Sequence, residues 1–483
     1  MSNRIASQLP AQTDVVVLGA GLAGHCAALA AAEASVDVVL LEKTPKPGGS
    51  SVMSAGSFAL AGTDLQRSAG IEDSPDRLAE ELFKISGGRA DPALVRVYVE
   101  HQLETYEWLK RHGVLFHGIT LSSGTAVPRT HPTNSEQLIS ALHARALQSS
   151  RIHFVPHTAA KRLLIGASGE VNGVEVEGPG GSASIAVRAG VVVASGGFTR
   201  NRALIERFAP GLGSAPAWGG AGNTGDGLLL AAELGADLAD MQFVAGTFGV
   251  AINHYPDTSV RPGDELVLRM AMYRGGIAVN LEAKRFADES QSYKKLATLC
   301  LKQPKAIAFQ IFDQRVMDQS VTNPSVNDLQ GAEQRGLVRS AGSIRELAAM
   351  CGLDGEQLEA TVARYNDFVD AGLDADFQRS TLGGSFGKLV PIKTPPFYAL
   401  PCSVALLSTY AGLRVNETMQ VLRESGAPIA RLYAAGEVIG GFHGEGYMSG
   451  SALGKAAIFG RIAGRCAARL ADQQHLAFSG DSP

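Results

Sequence analysis

The sequence has little cysteine, few aromatic residues and no block of like charge. Its five cysteines, Cys26, Cys300, Cys351, Cys402 and Cys466, lie far apart, with no CxxC and no CxxCH. That spacing argues against a zinc site, a c-type haem and a disulfide framework. The odd count suits a reducing compartment. The formal net charge is −4 and no basic cluster stands out, so nucleic-acid binding has no electrostatic support. Long apolar runs are also scarce. The one uncharged stretch, Val15 to Ala32, is near the lower limit for a membrane span, but it contains Gly19, Gly21, Gly24 and His25. The opening MSNRIASQLPAQTD has no apolar core and no cleavage site, so no signal peptide is expected. The expectation is a cytoplasmic protein with no membrane and no nucleic-acid partner. Charged residues at 19% and hydrophobic residues at 45% exclude a disordered or fibrous chain.

What is abundant is glycine, 56 of 483 residues, without low complexity. Such a chain has tight turns and close backbone approaches, and its length suits two to three domains. Asp14 to Leu18 is a β-branched buried-strand pattern. Gly19-Ala20-Gly21-Leu22-Ala23-Gly24 follows it directly. An Ala-rich helix over 22–34 and a second strand over 36–41 come next, ending at Glu42. This is a βαβ unit with GxGxxG at its first turn and an acid 18 residues after Gly24. The glycines permit the turn, the approach to a pyrophosphate and the helix–strand packing. The helix N-terminus offers N–H groups to phosphates, and Glu42 is placed for a ribose hydroxyl.

Helices are expected over 76–86, 92–111 and 134–148, and several strands over 152–193, with turns at 169–170 and 178–181. Asn223-Thr-Gly-Asp-Gly227 opens a helix to about 235. Strands are expected near 276–287 and 306–312, and helices near 292–302 and 355–371. The stretch 383–396 reads as a boundary. The tail returns to strand, glycine loop and helix, from Leu432 to about 470. The fold class is α/β: a Rossmann-like nucleotide domain over 1–237 and 391–483, interrupted by an α+β capping or substrate domain over 238–390.

The fingerprint alone does not separate NAD from FAD. Other segments do. They are Pro47-Gly-Gly-Ser-Ser51, the ASGGF segment at 194–198, NTGDG at 223–227 and KRFADE at 284–289. The last is Ala434-Ala-Gly-Glu-Val-Ile-Gly-Gly-Phe-His-Gly-Glu-Gly-Tyr-Met-Ser-Gly-Ser-Ala-Leu-Gly454 with Phe459-Gly-Arg-Ile-Ala-Gly464. Over nearly its whole length the chain resembles the fumarate reductase/succinate dehydrogenase flavoprotein family, and within it the FAD-dependent ketone desaturases such as the 3-ketosteroid dehydrogenases. The resemblance implies FAD. Gly19 to Gly24, Glu42 and Lys43 would hold its ADP half. Gly48, Gly49, Ser50, Ser51 and Gly56 would run along the pyrophosphate and isoalloxazine. Asp226, Gly436 and Glu437 would serve the ribose and ribityl side, with His443 close to the flavin. Ser451, Ala452 and Leu453 would offer N–H groups to the flavin pyrimidine, stabilising negative charge there. Covalent members attach flavin through a His near the serine-rich segment. Residues 48–56 contain none, so noncovalent FAD is expected.

The departures from the family carry the substrate argument. Fumarate reductases have HGxNR in the tail, where this chain has Tyr447. They have a proton-donating Arg after an FVNE-like segment, where this chain has Tyr293. They have HTMGG, where this chain has Ser408-Thr-Tyr410-Ala-Gly412. Arg reads carboxylates bidentately and Tyr does not, so fumarate is not expected as substrate. Tyr447-Met-Ser449 with Tyr293 resembles the Tyr-x-Ser plus distant Tyr of the 3-ketosteroid Δ4-(5α) desaturases. Ketone desaturation needs a group on the carbonyl oxygen and an acceptor for the α-proton, with hydride leaving to the flavin. Tyr293 and Ser449 are expected as a proton relay and Tyr447 near the carbonyl, with these roles exchangeable. Tyr410 is either core or substrate wall. Arg129, in Pro128-Arg-Thr-His-Pro132, either faces the substrate, favouring a keto acid such as 4-oxocyclohexanecarboxylate, or caps the next helix. Lys294, Lys295 and Lys302 are expected on a solvated face. The partner is thus a small cyclic ketone or keto acid, with oxygen, a quinone or a carrier protein reoxidising the flavin. Two alternatives stand: an ene-reductase working the same site in reverse, and a non-enzymatic binding protein on a flavoprotein fold.

Overall fold

The computed structural model describes residues 9–122, 125–213, 215–261, 264–321, 326–383 and 387–479. The first eight residues and part of the 383–396 stretch therefore lie outside the described residues. The chain divides into two units. The first comprises 1–210, 219–244 and 408–483, and the second 211–218 and 245–407.

The first unit is built on a mixed sheet. Strand β1 (Gln12–Leu18) pairs in parallel with β2 (Val38–Leu41) on one side and with Gly181–Val193 on the other. Ile152–Val155 extends the sheet beyond β2, and Pro428–Ala434 extends it beyond Gly181–Val193, both in parallel. From Val15 to Leu18 the β1 side chains are buried without alternation, as for a strand covered on both faces. The hairpin Ala159–Ile165/Val171–Gly178 is antiparallel and joins the same sheet. Helix α1 (Leu22–Glu33) is buried from Leu22 to Ala31, the state expected of a helix that is apolar all round. It packs against the helix Ser451–Ser479 at backbone contact. A Cβ on Gly460 would lie 2.5 Å from Ala23 O, and one on Gly464 would lie 2.1 Å from Ala27 O. The uncharged stretch Val15 to Ala32 is thus a strand, a turn and a helix. Among the described residues no helix is long and apolar enough to cross a membrane.

The second unit carries a five-stranded sheet in the order Val244–Ala251, Phe397–Thr409, Ala308–Asp313, Ile277–Asn280, with Arg339–Ala341 also on Phe397–Thr409. Helices Ile344–Cys351 and Gly355–Ala371 pack on it through Leu347, Leu358 and Tyr365. The strand expected near 276–287 stops at Asn280. There the Asn280 side chain accepts from Glu282 N at 2.9 Å and Lys284 N at 3.1 Å, closing a turn. The KRFADE segment then enters a buried ion network. Arg285 bonds Glu289 at 2.8 Å and Asp374 at 2.7 Å, and Arg379 bonds Glu289 at 3.1 Å. The thirteen-residue strand Phe397–Thr409 has no counterpart among the expected elements; it carries Pro401, a residue uncommon inside a central strand.

Candidate functional site

The fingerprint turn is built as its sequence requires. A Cβ on Gly24 would lie 1.8 Å from Gly19 O, so only glycine lets α1 sit this close to the end of β1. At Gly21 the nearest atoms to such a Cβ are Ser51 Oγ at 3.7 Å and Gly48 O at 3.8 Å, which leaves the turn open on that side. The N-cap residue of α1, Gly21, has no side chain to cap it, so the helix N-terminus keeps its anion-attracting character. Glu42 stands at the end of β2. Its Oε2 accepts from Ala20 N at 3.0 Å, and its Oε1 from Thr44 N at 2.9 Å. The carboxylate is held in place with lone pairs to spare for hydroxyl donors.

Distant segments converge on this turn within the first unit. Gly48 N donates to Ala20 O at 2.8 Å, and Leu22 N donates to Ser51 Oγ at 3.2 Å. Ser50 Oγ accepts from Gly220 N at 3.0 Å, bringing in the NTGDG loop. Gly56 O accepts from Thr133 N at 2.7 Å. Lys43 Nζ pairs with Asp226 at 2.5 Å and also bonds Thr224 Oγ1. A Cβ on Gly436 would lie 2.8 Å from Ala23 Cβ, so the tail segment rests on the first turn of α1. Glu437 accepts from Thr409 N at 2.9 Å and from Asn223 Nδ2 at 2.9 Å, and burial pushes its carboxyl above the usual range. It ties together three segments of the cradle.

The far end of the cradle is aromatic. Tyr410 stacks on Tyr447 with ring centroids 5.8 Å apart and planes 11° apart, and His443 lies 4.8 Å from Tyr410 and 5.6 Å from Tyr447. Ser451 Oγ donates to Met448 O at 2.7 Å, so it accepts from His443 Nε2 at 3.0 Å. That fixes the His443 tautomer as Nε2–H. Burial pushes the Tyr447 phenol up, while backbone N–H groups of Gly450 and Ala452 act in the opposite direction by donating to its oxygen. The Ala452 N–H that the resemblance gives to the flavin pyrimidine therefore meets an oxygen acceptor here. Leu453 is buried, and Ala452 and Ser449 are half-buried in the same stretch.

Two residues stand elsewhere than the sequence reading offered. Arg129 does not reach into this cluster as a free carboxylate clamp. Its side chain is fully buried and bonds Asp73 and Glu81, both at 3.0 Å, while its Nε and Nη1 have no hydrogen-bond partner. One cation shared by two carboxylates leaves a net negative surrounding, which repels a third. Lys294 leaves the solvated face: its Nζ donates to the fully buried Thr247 Oγ1 at 2.7 Å and lies 5.3 Å from the Tyr293 ring centroid. Tyr293 itself is the first residue of the helix Tyr293–Cys300 in the second unit, partly buried against the core of Phe248 and Leu296. Sequence reasoning missed Thr409, Asp240 and Lys455. The first supports Glu437; Lys455 is buried and Asp240 half-buried near the same loop.

The residues fit FAD. The open turn at Gly21, the N-terminus of α1 and the anchored Glu42 supply its phosphate and ribose partners. Comparison with known proteins agrees. The FAD binding domain family matches residues 14–453. The fumarate reductase (cytochrome) of Shewanella frigidimarina is 31% identical over 461 residues, covering 94% of this chain and 77% of that one. The urocanate reductase of Eggerthella lenta is 31% identical over 475 residues, covering 96% and 76%. Among solved structures, the 3-ketosteroid-Δ4-(5α)-dehydrogenase of Rhodococcus jostii RHA1 superposes with a TM-score of 0.76 at 27% identity, covering 96% of this chain and 98% of that one. The chain belongs to the FAD binding domain family and is an FAD-dependent oxidoreductase of the group that acts on CH–CH and C=C bonds.

Proposed function

We propose that this enzyme acts on the carbon–carbon bond next to a ketone in an uncharged cyclic substrate, in the direction of desaturation, with FAD bound noncovalently. The observation that carries the reading is the Tyr410–Tyr447–His443 cluster. It holds stacked aromatic rings and a phenol, and by the resemblance Tyr447 stands where the dicarboxylate enzymes have an arginine. When bound, FAD supplies the two-electron acceptor for hydride from the β-carbon. Tyr447 keeps its proton, since burial raises it, and so serves as donor to the carbonyl oxygen. Its own oxygen accepts backbone N–H groups, which polarises the O–H and strengthens that donation. The enolate charge that builds as the α-proton leaves is thereby stabilised. The rings exclude water and accept a flat, apolar substrate body. Tyr293 and Ser449 are assigned the α-proton on the resemblance alone. Arg129, with its two carboxylates, gives no support to a keto acid, so a neutral ketone is the preferred substrate.

A second reading is favoured by the relatives, whose names are reductases. The same residues would then hold an enone and return a proton to its α-carbon. Both readings name the same substrate class, and one experiment tests that class. Dithionite-reduced enzyme is mixed anaerobically with 2-cyclohexenone, a 3-keto-4-ene steroid, fumarate and urocanate, and the return of oxidised-flavin absorbance is followed. Reoxidation by a neutral enone and not by the acids is the expected result. Reoxidation by fumarate or urocanate alone would overturn the assignment.

A further inference from the structure

Lys455 is a buried charge that the chemistry above leaves unused. It lies one turn into the helix Ser451–Ser479 and is 2% exposed. Its Nζ donates to Ile439 O at 3.1 Å. A buried ammonium held only by a neutral carbonyl is costly, and it persists where carboxylates share its field. Two do, Glu437 and Asp240. Glu437 is fixed by Thr409 N and Asn223 Nδ2, and Asp240 Oδ2 accepts from Gly441 N at 3.1 Å. Arg89 acts on Asp240 in turn, and the Tyr98 hydroxyl lies against Gly454, 2.0 Å from where a Cβ there would be. Burial raises both carboxyls and brings Lys455 down to about 8. Lys455 is four residues from Ser451, about one helical turn from the N–H groups at the helix start.

We propose that Lys455 is a proton-holding positioning residue for the flavin, its amine taking a proton from solvent when negative charge arrives in the cradle and releasing it on reoxidation. Hydride from the substrate brings two electrons and one proton to FAD and leaves one added negative charge. Above the pH at which the amine has given up its proton, the second proton goes to Lys455 Nζ, so two electrons and two protons are taken up together; at neutral pH the amine already holds it. In a buried setting the two charges couple far more strongly than in water. The helix N-terminus supplies a fixed partial charge, and Lys455 supplies one that is standing at neutral pH and arrives with the electrons at alkaline pH.

The test is a spectroelectrochemical titration of the bound FAD in the full-length holoenzyme, from neutral to alkaline pH. Wild type is expected to show a break at about pH 8. Above it the potential falls about 30 mV per pH unit more steeply, which is the tenfold-per-unit equivalent of one extra proton on a two-electron couple. K455M loses the steep limb and has a lower potential at neutral pH. K455R, which holds its charge throughout, loses the limb and keeps the neutral-pH potential. A wild type without the break, or a break that persists in K455R, overturns the proposal. Should K455M fail to retain FAD, wild type and K455R decide it.

Discussion

At the scale of single residues, the account turns on which polar groups are already spent. Tyr447 has its oxygen on two backbone N–H groups and keeps its proton. Removing the hydroxyl in Y447F should therefore slow anaerobic flavin reduction by a ketone by about 10²-fold, the cost of one lost oxyanion donor. FAD content should stay unchanged, and an unaltered rate would remove Tyr447 from the chemistry. Arg129 is spent on Asp73 and Glu81. R129L takes the cation away from the buried Asp73 and the half-buried Glu81 and should cost about 3–5 kcal/mol in denaturant unfolding. A carboxylate clamp would instead raise KM for keto acids and leave stability alone. Residue type and spacing pointed to Glu42 and the glycines, and the family resemblance to Tyr447. They did not reveal that Arg129 is neutralised from positions 73 and 81, or that Lys294 is drawn onto Thr247. Those outcomes depend on tertiary neighbours distant in the chain. Lys455 escaped for the same reason, since nothing around it in Gly454-Lys-Ala456 announces burial.

At the scale of elements, α1 is the part whose sequence said most. Its strand–turn–helix context, its lack of charge and its glycine spacing all agreed. G24A tests it: the added methyl would overlap Gly19 O, pushing α1 off β1. The variant should fail to copurify with FAD while G70A, at an open surface turn, retains it. What the sequence did not show is how α1 is held from behind. His25 is fully buried and donates from Nδ1 to Gly21 O at 2.9 Å. Its Nε2 accepts from His143 Nδ1, 3.1 Å away, on the helix Ser135–Gln148. Burial lowers His25 to about 4 from the usual 6.5. A base lowered in the folded state binds fewer protons there than when unfolded. It therefore costs nothing above about pH 6.5 and removes stability as pH falls toward 4. The full loss is about 3 kcal/mol at roughly 1.4 kcal/mol per unit. H25F should flatten the decline of thermal stability between those pH values, and an identical decline in H25F would contradict this role. The strands of the second unit were harder to read. One long strand carries Pro401, a residue uncommon inside a central strand, and Asn280 ended another early through a side-chain turn that has no periodicity to detect.

At the scale of the whole molecule, the sequence placed the chain in its flavoprotein family because the cofactor cradle is assembled from segments spread over its length. Residues 19–24, 42–51, 220–226 and 436–453 must each keep their turn chemistry for the cradle to close. The substrate was less legible, because it depends on what replaced the family's arginines. An aromatic cluster defines a shape and a polarity rather than one molecule. The central claim is that this enzyme withdraws a proton and a hydride from the carbon–carbon bond beside a neutral cyclic ketone. Anaerobic mixing of the oxidised enzyme with cyclohexanone, a saturated 3-ketosteroid, 4-oxocyclohexanecarboxylate and succinate tests it most directly, read as loss of oxidised-flavin absorbance. The account predicts bleaching by a neutral cyclic ketone and none by succinate. Bleaching by succinate, or by none of the four, would contradict it.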